Sequence, residues 1–195
     1  MAAGGSNDPR QWGRLSLVRV FGDLAVELQE QTDTESTLRT IVHSSVDLVP
    51  GARWAGISMI EGRQVNPRVP TEQLVAELDQ LQTNLDEGPC LDALREHHTV
   101  QIDDMATERR WPRFAHAAME REVWSLLSFR LFVHSGTFGA LNLYAGETKV
   151  FDDDSNSMGI VLAQHASVAL AADAAESHFI RPSIPTMSSA KLKAY

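Results

Sequence analysis

One segment with a side-chain period of two, and the strand candidate that follows it, constrain this chain more than any other feature. Over residues 125–133, Leu127, Phe129, Leu131 and Val133 fall on one side, while Leu126, Ser128, Arg130 and Phe132 fall on the other. His134-Ser135-Gly136 then turns the chain into residues 137–145, which pair antiparallel with the first segment. Such a pair belongs in a sheet with helices on its faces, and the rest of the chain supplies helices.

Leu17, Phe21, Leu24 and Leu28 recur at spacings of four, three and four, which predicts a helix over 15–31 with Arg19, Asp23, Glu27 and Glu30 on its opposite face. A second helix is expected after Asp33, whose carboxylate can cap free backbone N–H groups, and Val49-Pro50-Gly51 stops it. Its buried stripe is Leu38, Ile41, Val42, Val46 and Val49. Residues 53–60 and 63–69, divided by Glu61-Gly62, read as a hairpin, with Pro67 and Pro70 making the second strand an edge.

Residues 71–81 return to helical spacing through Leu74, Leu78 and Leu81, and Asp86-Glu87-Gly88-Pro89-Cys90 reads as a loop entering a short helix. A short strand over 99–102 follows, then a helix opened by Trp111-Pro112 and lasting to about Arg121. The last helix is predicted from Asp152–Asp154, where acidic charge favours a helix N-terminus, to about Ala175. Along it Met158, Val161, His165, Val168, Ala172 and Ala175 form a second stripe, as expected where one helix packs along another. The order predicts an antiparallel sheet with the terminal helices on one face and crossover helices on the other. Residues 1–14 read as a flexible tail, 15–175 as one domain, and 176–195 as a disordered tail.

Seventeen Lys+Arg against twenty-six Asp+Glu give a net charge of −9 with no basic run, so direct nucleic-acid binding is not expected. The first nine residues lack the basic start and apolar segment of a signal peptide. The apolar stretch 160–175 is broken by Gln164, His165 and Asp173 and reads as too short for a membrane span. A soluble, cytoplasmic protein is the expectation. Cys90 is the single cysteine, which excludes an internal disulfide and a cysteine-rich metal site.

Three segments carry a family resemblance: Leu85-Asp86-Glu87-Gly88-Pro89-Cys90-Leu91-Asp92-Ala93-Leu94, Arg110-Trp111-Pro112-Arg113-Phe114, and Gly139-Ala140-Leu141-Asn142-Leu143-Tyr144-Ala145. In this order and spacing the chain resembles GAF domains of actinobacterial regulators that pair a GAF with an ANTAR domain. The resemblance implies an α/β (α+β) fold with a five- or six-stranded antiparallel sheet. It further implies terminal helices forming a dimer bundle and a small-molecule pocket on the other face. In such regulators the ANTAR module binds RNA to relieve transcription termination. Residues past Ala175 have too little apolar periodicity for three helices, so RNA binding is not carried over, and the expectation is a sensor whose output domain is absent or a stand-alone ligand-binding protein.

The GAF-fold reductases of free methionine-R-sulfoxide, whose chemistry uses several cysteines, are a third reading that one cysteine disfavours. Acidic neighbours Asp86, Glu87 and Asp92 are expected to blunt Cys90, and no catalytic residue is assigned. Lys149 and Phe151 match part of the cyclic-nucleotide signature of some GAF domains, but Ser155 and Asn156 stand where an Asp-Glu pair is expected. The histidines, with His97 and His98 adjacent and His43, His116, His134, His165 and His178 scattered, assemble no metal site. A ligand pocket, its occupant and any cofactor unspecified, is expected near Ser128 and Arg130, with Trp54, Asp104, Trp111 and Trp124 around it; the alternative for Arg130 is a surface ion pair on an exposed sheet face. Homodimerisation is expected through Leu17, Phe21, Leu24 and Leu28 on the first helix and Met158, Val161, His165, Val168 and Ala172 on the last.

Overall fold

In the computed structural model the described residues are 19, 22–92, 99–132 and 138–179. In chain order they form α1 (22–29), α2 (Thr34–Leu48), β1 (Trp54–Glu61), β2 (Gln64–Arg68), α3 (Gln73–Leu85), α4 (Pro89–Asp92), β3 (Thr99–Ile102), a 3-10 turn (Met105–Thr107), α5 (Pro112–Met119), β4 (Ser125–Phe132), β5 (Phe138–Ala145) and α6 (Asp153–Phe179). The five strands run in the order β2-β1-β5-β4-β3, every neighbouring pair antiparallel. The expected sheet is therefore present, with β2 at one edge and β3 at the other. Two-residue alternation in β4 and β5 divides the core into two faces.

On the first face Ile57, Leu127, Phe129, Leu131, Leu141 and Leu143 pack with Leu24 of α1, Leu38, Ile41 and Val42 of α2, and Leu162, Ala166 and Leu170 of α6. As expected, Asp33 caps α2: its carboxylate accepts the Ser36 N–H at 2.9 Å and the Ser36 hydroxyl at 2.7 Å. That backbone bond holds its carboxyl below the usual range. Asp152 does the same for α6 through the Ser155 N–H at 2.9 Å, and the Ser155 hydroxyl donates to the Pro50 carbonyl at 2.9 Å, fixing the start of α6 to the end of α2. Gly159 lets α6 lie close on the sheet, since a Cβ there would enter the ring of Phe129. Arg68 at the end of β2 pairs with Glu35 of α2 and Asp173 of α6, at 3.0 and 3.3 Å.

On the second face α3, α4 and α5 cover Trp54, Ile60, Leu126, Ala140 and Tyr144. Two expectations change here. The buried stripe of α3 is Val75, Leu78, Asp79 and Gln82, not Leu74, Leu78 and Leu81, because two polar residues lie on its inner side; Leu74 and Leu81 are only partly buried. The helix also runs to Leu85 and ends on Asp86 in the left-handed region, φ 54°.

The last helix runs beyond the expected end at Ala175 to Phe179, so residues 176–179 are helical and the rest of the expected tail lies outside the described residues. Contrary to the sequence reading, residues 153–175 are long and apolar enough to cross a membrane by length and composition, with mean hydropathy 1.3. Their inner residues instead close the core of the first face. Val133, the 134–136 turn and residues 93–98, with His97 and His98, lie outside the described residues, as do the expected tail 1–14 and the first part of the expected helix over 15–31.

Candidate functional site

Two of the three conspicuous sequence segments meet in space. After Asp86, Gly88 at φ 143° brings the chain so close to Gln82 that a Cβ would collide with that side chain, and the Cys90 N–H donates to Gln82 Oε1 at 2.9 Å. Glu87 reaches across to α5, where its carboxylate accepts the Arg113 and Phe114 N–H groups at 2.8 and 3.3 Å and the Arg113 Nε at 2.7 Å. A side chain from another element thus satisfies the free N–H groups at this helix start. The Arg113 guanidinium and these N–H groups hold the Glu87 carboxyl below its usual range. From α4, Asp92 Oδ2 accepts the indole N–H of Trp111 at 2.7 Å.

Beneath this docked pair lies a buried polar cluster centred on the third segment. Asn142 of β5 donates through Nδ2 to the Ser58 hydroxyl at 2.8 Å and to Cys90 Sγ at 3.3 Å, while its Oδ1 accepts the Ser128 hydroxyl at 2.6 Å. Ser58 in turn donates to Asp79 Oδ2 at 2.6 Å, and Gln82 Nε2 donates to Cys90 Sγ at 3.3 Å. The other Asp79 oxygen, Oδ1, and the Tyr144 hydroxyl are buried without a hydrogen-bond partner. Unpartnered buried polar atoms are costly, which sets this cluster apart from ordinary core.

Burial pushes the Cys90 thiol up to about 12, with Asp79 adding to the shift. The acidic neighbour acting on Cys90 is Asp79, not Asp86, Glu87 or Asp92 as the local sequence suggests; Asp86 and Glu87 turn outward to Arg63 and Arg113.

Of the expected ligand residues, Ser128 is in this cluster, and Trp54 and Trp111 are buried in the apolar core beside it. The remaining three stand apart. Asp104 caps the 3-10 turn by accepting the Ala106 N–H at 2.9 Å, and Trp124 is half-buried just before β4, its N–H donating to the Ala145 carbonyl at 2.9 Å. Arg130 lines a separate cleft of about 410 Å³ between β4 and α6, with Thr99, Phe132, Ile160 and Val168, and its guanidinium lies 5.3 Å from the Phe132 ring centre. The residues missed by sequence reasoning are Ser58, Asp79, Gln82 and Asn142. Their available signal is a polar side chain at an inward position of an otherwise apolar strand or stripe.

The expected dimer residues divide by depth. Leu24 is 4% exposed and belongs to the subunit core, and Leu28 and Met158 are partly buried against it. Val161 and His165 are half-buried, Ala172 is exposed and Val168 is 70% exposed. Leu17 and Phe21 lie outside the described residues. The exposed large apolar side chains among the described residues are Val26, Phe132, Ile160 and Val168, three of them on α1 and α6.

The GAF domain family model matches residues 31–171. No relative was found among curated proteins. Solved structures share the fold. The GAF domain of a phosphoenolpyruvate-protein phosphotransferase from Coxiella burnetii matches with TM-score 0.65 at 13% identity, covering 84% of this chain and 98% of that one. Free methionine-R-sulfoxide reductase from Neisseria meningitidis matches with TM-score 0.63 at 15% identity, covering 89% and 98%. An N-acylhomoserine lactone dependent LuxR family transcription factor from Burkholderia cenocepacia matches with TM-score 0.60 at 19% identity, covering 82% and 98%. The family model spans most of the chain, from before α2 to within α6: the chain belongs to the GAF domain family, whose members are typically sensory or regulatory modules.

Proposed function

We propose that this GAF domain is a sensory module of a cytoplasmic transcription regulator of the antitermination type, acting as a homodimer and responding to a small molecule on the face covered by α3, α4 and α5. The observation that carries this reading is the division of labour between the faces. Apolar side chains of α1 and α6 remain uncovered at Val26, Ile160 and Val168, whereas the opposite face gathers buried hydrogen-bonding groups around Asn142. An apolar helix face beside a core is suited to a second copy, and convergent polar groups within an apolar core are suited to recognising a ligand. The sequence resemblance to GAF-ANTAR regulators supplies the transcriptional context.

The role is not catalytic on this reading. Cys90 is fully buried and its thiol is pushed up to about 12, which leaves almost no thiolate at neutral pH to act as nucleophile. A net charge of −9 leaves nucleic-acid contact to another part of the regulator.

Native mass spectrometry of the chain purified from cells tests the proposal in one spectrum. A dimer retaining extra mass supports the sensory reading and gives that ligand's mass. A monomer at the sequence mass defeats it.

A further inference from the structure

Asp79 stands on the inner side of α3, 1% exposed, with Oδ2 accepting the Ser58 hydroxyl and Oδ1 without a hydrogen-bond partner. A carboxyl group at this depth either meets a cation or gives up its charge. Among the described residues, the cations on elements packed against α3 are engaged elsewhere. On the β1–β2 hairpin Arg63 pairs with Asp86, and Arg68 with Glu35 and Asp173. On and after α5, Arg113 pairs with Glu87 and Arg121 with Glu77 of α3 itself, while the His116 ring faces Glu120 at 3.7 Å. From α4 come Cys90 and Asp92, the latter accepting the Trp111 indole N–H, and Glu61 at the end of β1 is exposed. Cys90 and Tyr144 of β5 are both held neutral, their proton affinities raised first by burial and second by Asp79.

We propose that Asp79 is a proton-operated latch: as a neutral acid it holds α3 and α4 shut over Ser58, Asn142 and Cys90, and its ionisation loosens both helices from the sheet. The inference rests on the sensory reading of this face and adds its regulation by pH. The hydrogen bonds define what the latch fastens. Asp79 is joined through Ser58 to Asn142, and Asn142 reaches Ser128 on β4 and Cys90 on α4, so one carboxyl group ties α3 into a network across three strands.

Burial pushes the Asp79 carboxyl from 3.8 up to about 7, the Ser58 hydroxyl bond pulling it the other way. Once α3 opens to water the carboxyl returns to its ordinary range. Linkage then makes the ratio of open to closed forms rise about tenfold per pH unit between about pH 4 and 7, levelling off above 7.

The test is amide hydrogen exchange on the full chain at about pH 5 and pH 7, corrected for the intrinsic pH dependence of exchange. Protection of the α3 amides is expected to fall about fiftyfold in the wild type and to stay level in Asp79→Asn. An equal change in both proteins, or no change in either, overturns the proposal. Titration of carboxyl-labelled aspartate by carbon NMR gives a readout that needs no stable Asp79→Asn variant. One resonance titrates near neutrality in the wild type, and Ser58→Ala moves its midpoint upward. A set of aspartates that all titrate below about pH 5 contradicts the latch. A monomeric, ligand-free chain would defeat the functional reading while leaving both of these results intact.

Discussion

The two faces of the sheet are covered by helices yet built on different physics. On the face of α1, α2 and α6 the buried contacts are almost entirely between apolar side chains, and the helix starts are capped by their own local residues, Asp33 and Asp152. On the face of α3, α4 and α5 the core contains Ser58, Asp79, Gln82, Ser128 and Asn142, and α5 is capped from outside by Glu87. Apolar packing is non-directional and tolerates small shifts, whereas buried hydrogen bonds demand fixed partners. In the proposed function the first face serves assembly and the second a response that a change of partner or charge can trigger.

Substitutions on the two faces break this comparison in different ways. The largest effect is expected on the apolar face, where Phe129→Ala empties a 2% exposed position under α6 and costs about 3–5 kcal/mol in denaturant unfolding. On the polar face, Asn142→Ala strips partners from Ser58, Ser128 and Cys90 together, and a loss of about 2–3 kcal/mol is expected although few atoms are removed. If Asn142→Ala proves nearly neutral, the cluster is incidental to stability and the contrast fails.

A pH series sharpens the same contrast. The Asp79 carboxyl is raised in the folded protein, from 3.8 to about 7, so its stabilising contribution is complete below about pH 4 and lost as pH rises through 7. Unfolding free energies should show a slope of about 1.4 kcal/mol per pH unit in that window, relative to Asp79→Asn. At the lower end, Asp33→Ala and Glu87→Ala each remove a helix cap. Each loss is expected to be smaller than that of Asn142→Ala in thermal or denaturant unfolding. Equal losses would mean that a cap from a distant element is worth as much as a local one.

Sequence patterning disclosed the first face more fully than the second. Period-two alternation in β4, its pairing with β5, the Asp33 cap, the strand over 99–102 and the edge position of β2 all follow from local rules, and the structure has each of them. Asp79 and Gln82 misled because a helix stripe is found by its apolar residues, and here half of the inner stripe is polar. Ser58 and Asn142 are 84 positions apart, and their contact exists only after β5 pairs with β1. Arg130 and Ser128 share a strand side, yet Arg130 lies beyond the end of β3 in the cleft beside α6 while Ser128 lies under the crossover helices. Leu24 and Leu28 share the stripe expected at a dimer seam, yet both pack into the subunit core, because spacing alone does not distinguish a side chain buried within a subunit from one offered to a partner.

Whether two copies meet on α1 and α6 is read by sedimentation velocity at micromolar concentration, comparing the wild type with Val168→Glu. Val168 is 70% exposed, so the charge leaves the fold intact where Leu24→Glu would damage the core. A wild-type dimer and a folded Val168→Glu monomer are expected. A wild-type monomer, or a dimer equally stable in both proteins, would contradict it.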